Sequence, residues 1–160
     1  IIERGPFANG AKFGSAGTYE WVRGRLHFAV NPGDPANARI VDLSRAPTDK
    51  RGMVTYRGDF LLLTPRDPAR RNRRLLFEVG NRGNIGMLSF FNDAPTTNHP
   101  LAITDAGNGF LFRRGYSLLW TAWNWDVTAG DGRFQIELPI AREIKRRYSA
   151  VYQPKSRSTG

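Results

Sequence analysis

Apolar and polar positions along the chain fall into short runs, and the period of each run predicts an element. In YEWVRGRLHFAV (19–30), Trp21, Arg23, Arg25 and His27 interleave with Val22, Gly24, Leu26 and Phe28. That period of two predicts a strand with one apolar face. The following NPGDPANA (31–38) holds two prolines and is a loop. Residues 39–43 predict a short second strand, and 53–63 a long one, with Gly58 as a bulge site and Pro65 as its stop. RLLFEV (74–79) is an apolar run with a single acid, the pattern of a strand buried on both faces. Ile85, Leu88 and Phe91 recur at helical spacing and predict a short helix or turn, with a loop over 92–100. Residues 105–114 predict another short helix, Phe110 and Leu111 inward and Arg113 and Arg114 outward. A buried strand is expected at 115–123, then two shorter strands at 133–138 and 148–152 around a basic turn. The first twenty residues predict a brief extended start followed by glycine-rich turns.

Before residue 65 the chain predicts only strands and turns. Across 74–123 it predicts strand, helix, strand, a βαβ unit whose two strands are parallel and whose crossover is right-handed. The fold class is therefore α/β and β-rich. With 160 residues a single domain is expected. Its parts are a β-rich 1–65, a strand-helix-strand 66–125, and short strands with a basic turn over 126–160.

Composition narrows this picture modestly. Lys and Arg number 24 against 14 Asp and Glu, a net charge of +10, which attracts anionic partners without naming one. The densest basic stretches, 66–74 and 142–147, read as solvated turns, and a nucleic acid is an unlikely partner. A basic β-rich module for an anionic polymer is the alternative that the charge supports. Cys is absent, which excludes disulfides and thiolate chemistry. No apolar run approaches the ~18 residues of a membrane span, so no membrane partner is expected, and the compartment is left open.

Candidate chemistry centres on LLFEVGNRGNIG (75–86), where an apolar strand stops at a loop of glycines and amides. Loops leaving the C-terminal ends of buried strands are where open α/β sheets bind ligands. The backbone N–H groups of Asn81, Arg82, Gly83 and Asn84 suit an oxyanion hole, a phosphate cradle or a plain tight turn. The stretch is neither a P-loop nor a GxGxxG fingerprint. In WTAWNWD (120–126), Trp123 and Trp125 share one side of an extended segment and Trp120 points the other way; Trp123 and Trp125 are candidates for a pocket wall or a core cap. His27 and His99 stand far apart, and Asp93, His99 and Asp105 lack a metal-ligand spacing, so neither a metal nor a cofactor is expected.

Several ordered blocks carry a resemblance: RGPFANGAKFGSAGTYEWVRGRLHFAVN (4–31), ANARIVDL (36–43), RRLLFEVGNRGN (73–84), FNDA (91–94), DAGNGFLFRRGYSLLW (105–120) and GDGR (130–133). Together they resemble the amino-terminal part of the bacterial "alpha/beta hydrolase domain-containing" proteins, over roughly residues 3 to 140, with the match fading from Arg142. Members of that family are several times longer than this chain. The resemblance implies an α/β-hydrolase sheet in which the strand at 74–79 precedes the oxyanion loop and the strand at 116–123 is its neighbour. It also implies cleavage of a small-molecule ester or amide, with Asn124, Trp125 and Asp126 at the sheet's C-terminal edge lining the mouth of the site. The nucleophile of that fold sits on a GxSxG elbow after a later strand, with the acid and His beyond it. Neither FGSAG (13–17) around Ser15 nor the surroundings of Ser117 fit that elbow. No catalytic residue is thus expected within this chain, which the resemblance makes a fragment inactive on its own. A hydrolase sheet cut in this way leaves an unpaired edge open to self-association.

Overall fold

The computed structural model describes residues 2–142. A mixed sheet of six strands forms its frame: β1 (Ile2–Pro6), β2 (Tyr19–Val30), β3 (Val54–Pro65), β4 (Leu75–Val79), β5 (Ser117–Thr121) and β6 (Ile136–Glu137). The order across the sheet is β1-β2-β3-β5-β4, with β6 pairing β3 beyond the end of β5. β1, β2, β3 and β5 are successively antiparallel, whereas β4 and β5 are parallel. Parallel neighbours need a crossover. Here it runs through α1 (Met87–Asn92), a 3-10 turn at Ile103–Ala106 and α2 (Phe110–Arg113). The molecule is thus β-rich with few and short helices.

The register explains which side chains share a face. Trp21, Leu63, Leu118 and Leu76 form one row across four strands, and Leu61, Trp120 and Glu78 form the next. The helices and the glycine-rich turns of residues 7–17 cover this face. Phe7, Phe13, Tyr19 and Phe112 pack there with ring centroids 4.9 to 5.9 Å apart. Trp120, Phe112, Leu63 and Leu118 are fully buried. Tyr19 enters this cluster with a polar tip, and its hydroxyl donates toward the carbonyls of Phe112 and Tyr116, each at 3.0 Å. Burial raises the phenol's pKa above its ordinary value of 10.0. The hydroxyl stays protonated and neutral throughout the ordinary pH range.

The opposite face carries its own apolar row, Val22, Leu62, Leu119 and Phe77, of which the first three are half-buried and Phe77 is exposed. This corrects the expectation for residues 74–79. β4 is the outermost strand, with Leu75, Phe77 and Val79 exposed at 56%, 51% and 43%. Its apolar run reflects a strand with one covered face and one bare one.

Other expectations shift for local reasons. Residues 39–43 form turns instead of a strand. Asp42 adopts φ +57, Ile40 and Val41 are exposed, and no facing strand is there to pair them. Gly58 is no bulge, since Leu26↔Gly58 sits in unbroken register. It lies against β6, where a Cβ would stand 3.4 Å from Ile136 Cγ1, an ordinary packing distance. The helix expected over 105–114 is broken at Gly107 and Gly109, both at positive φ. At Gly107 any side chain is excluded, since a Cβ there would lie 2.1 Å from the carbonyl oxygen of Asn92. After that break Leu111 and Phe112 point inward, while Phe110 is 40% exposed beneath Arg114. The strand expected at 148–152 lies outside the described residues.

Two predictions follow from these contacts. Tyr19→Phe keeps the ring and removes the donor shared by the Tyr116 and Phe112 carbonyls, of which Phe112 still accepts from the N–H of Gly115, and urea denaturation should show a loss of ~1 kcal/mol. On β6, Glu137 bonds Arg57 at 2.7 Å and Arg25 at 2.5 Å. The bond from Arg57, with the charges of Arg57 and Arg25, holds its carboxyl below the ordinary value of 4.5. Its folded pKa is lowered, so its contribution is present above the unfolded value and is lost as pH falls through the folded one. Glu137→Gln should therefore flatten the stability–pH curve below about pH 4.5 and leave its slope near neutrality unchanged.

Candidate functional site

Because β4 and β5 are parallel, their C-terminal ends open on one rim, and the loops that follow them, 80–86 and 122–127, lie side by side. Glu78, the last inward-facing residue of β4, organises this rim. Its carboxylate accepts from the N–H of Gly86 at 2.8 Å, from the N–H of Met87 at 2.7 Å and from the indole Nε1 of Trp120 at 2.6 Å. One side chain therefore ties the start of α1 to both parallel strands. A negative group at a helix start satisfies N–H groups that have no partner within the helix.

The GNRGN loop turns tightly between these anchors. Arg82 and Gly83 adopt φ +49 and +78, and the N–H of Asn84 closes the turn on the carbonyl of Asn81 at 3.0 Å. The N–H of Arg82 donates to Asn124 Oδ1 at 2.8 Å, and the Arg82 guanidinium meets Asp126 at 2.9 Å. Two of the amides expected to face a ligand are therefore spent on internal partners. The N–H of Gly83 is bonded to none of the described residues. Gly83 itself is buried, and a Cβ there would lie 2.8 Å from both the Phe134 carbonyl oxygen and Val127 Cγ1. The phosphate reading loses ground for a separate reason, since Glu78 already fills the helix start where an anion would sit.

Asn98 joins the neighbouring loops. Its Nδ2 donates to Asn84 Oδ1 and to the Asp131 carbonyl, both at 3.0 Å, and its Oδ1 accepts from the N–H of Ile85 at 3.0 Å. Residues 80–86, 95–100 and 130–134 thereby become one unit. Neither Glu78 nor Asn98 stands out in the sequence. The only signal was Glu78 as the single acid of an apolar strand, since such an acid needs buried donors.

Trp123 and Trp125 lie beyond the end of β5 and are 66% and 76% exposed. They cap no core, and neither lines a described cavity; Trp120 alone is the buried indole. Asp126 is spent on Arg82. The candidate metal ligands do separate jobs: Asp93 accepts from Asn108, His99 meets Arg23, and Asp105 caps the N–H of Ala102. Among the described residues no three His, Asp or Glu side chains gather as a metal site, and no described helix is long and apolar enough to cross a membrane.

Comparison with family models, with curated proteins and with solved structures yields no match to this chain.

Glu78→Gln retains the shape and removes the charge, and its amide NH2 must then face N–H donors. It should cost roughly 2–3 kcal/mol in urea denaturation and shift the emission of the buried Trp120. A loss no larger than that of an exposed control such as Glu3→Gln would show that the three bonds do not hold the rim.

Proposed function

We propose that the chain is the amino-terminal part of a serine hydrolase of the α/β-hydrolase type, cleaving an ester or amide. In this reading the loop at 80–84 lies beside the reacting carbonyl, and the nucleophile, acid and His belong to polypeptide beyond Gly160. The observation that supports it most is the parallel pair β4–β5, with a glycine turn at the C-terminal end of β4 leading into a helix, where this enzyme class keeps one of its oxyanion donors. The ordered sequence blocks support the same assignment. Within this reading the N–H of Gly83 is the proposed donor, since those of Arg82 and Asn84 are committed to Asn124 and Asn81 and Asn81 is itself bridged to Asn84. One such donor is worth on the order of 3 kcal/mol to the transition state.

A second reading has its own support. The exposed Leu75, Phe77 and Val79 and the open outer edge of β4 suit a structural piece completed by another polypeptide or by self-association. The charge, by contrast, favours no nucleic-acid surface, because many of the arginines are paired with carboxylates.

The test is labelling with a serine-directed fluorophosphonate. A longer product, expressed with the coding sequence that follows Gly160, should be labelled at a single serine. The 160-residue chain should remain unlabelled. A longer product that resists labelling and turns over no p-nitrophenyl ester would overturn the hydrolase reading and leave the structural one.

A further inference from the structure

A cleft of about 580 Å3 opens beside this rim, within the ~300–1,000 Å3 typical of small-molecule sites. It lies on the same face of the sheet as the helical layer, where β2 and β3 run past its cover. Its lining includes Arg23, Arg25, Arg57 and Arg133 against two acids, Glu3 and Asp59, with Leu61 and Phe134 among its apolar walls.

The four arginines are unequally neutralised. Arg23 holds Glu3 at 2.7 Å, with its Nη1 beside the His99 ring at 3.0 Å. Arg25 bonds Asp59 and Glu137, and Arg57 bonds Glu137 at 2.6 Å. Arg133 differs. Its nearest carboxylate is that of Asp131, 3.5 Å away on a side chain 82% exposed. Its Nε is buried and has no hydrogen-bond partner. Folded proteins seldom leave a buried donor of this kind unpaired, which sets Arg133 apart from the other three. The Arg133 side chain remains 36% exposed where it lines the cleft, and its fork suits a planar carboxylate. It also touches the rim loop, since a Cβ on Gly83 would lie 2.9 Å from Arg133 Cβ.

We propose that this cleft binds a small carboxylate with an apolar body, its charge set against Arg133 and its body against Leu61 and Phe134. Binding of this kind needs no nucleophile and stands whether or not the chain belongs to a hydrolase. Under the hydrolase reading, and resting on it, the same site would select esters that carry a second, negatively charged group.

Calorimetric titration of the 160-residue chain with phenylacetate, with neutral phenylacetamide and with inorganic phosphate tests this, the His99 ring signals in NMR reporting the location. Phenylacetate should bind at least tenfold more tightly than phenylacetamide and shift the His99 signals, and phosphate at equal concentration should not displace it. Arg133→Gln should abolish the preference for the acid, whereas Arg39→Gln, far along the chain in an exposed turn, should keep it. Equal binding of acid and amide, displacement by equimolar phosphate, or a preference that survives Arg133→Gln would each overturn the proposal. Should Arg133→Gln fail to fold, Arg133→Lys preserves the charge without the fork and should weaken phenylacetate at least threefold. The comparison of acid with amide on the unaltered chain decides independently of either variant.

Discussion

The carboxylate of Glu78 is the constraint on which the rest of the rim depends. A partly buried acid is tolerable only when donors replace the water it loses. Here the N–H groups of Gly86 and Met87 and the indole of Trp120 supply them. Those donors come from two places in the chain, the start of α1 and β5, and the carboxylate that joins them sits at the end of β4. Satisfying one charge therefore fixes where the GNRGN turn must pass. The same contact weakens one functional possibility, because the Gly86 and Met87 amides that could meet a phosphate already hold an internal carboxylate.

The two faces of the sheet are unequal, and the inequality follows from how the chain is spent. Turns at 7–17 and the helices between β4 and β5 all return to one face, where Trp120, Phe112 and Tyr19 are buried. The other face keeps a row of aliphatic and aromatic side chains in register and only partly covered. A mostly antiparallel sheet commonly packs one face on its core and turns the other toward water, and exposure here is greatest at β4, the outermost strand.

Much of this architecture was legible in the sequence. The period of two over 19–30 and the apolar runs at 53–63, 74–79 and 115–123 mark β2 to β5, and the helical spacing of Leu88 and Phe91 marks α1. Burial was less legible. The run at 74–79 reads as a strand covered on both faces because composition reports what a face is suited to touch, not what touches it. The segment 39–43 has strand composition without a partner strand, and pairing is a long-range fact that no short window contains. At the site the loop 80–84 was legible through its glycines. The commitment of the Arg82 amide was not, since its acceptor, Asn124, lies 42 positions away. Arg133 and Asn98 were invisible for the same reason, because their roles arise where separate loops meet.

The position of the open edge bears directly on the hydrolase reading. A further strand laid parallel to β4 on its free side would bring its C-terminal end to the rim that carries residues 80–84. A strand of that kind is where an enzyme of this class places its nucleophile elbow. Under that reading, the unpaired edge and the lack of a fitting serine between residues 2 and 142 have a single cause, polypeptide that packs along β4. The turn at residues 80–84, which leaves the end of β4, then lies beside the seam where it would join, so chemistry would arise only once that seam is closed.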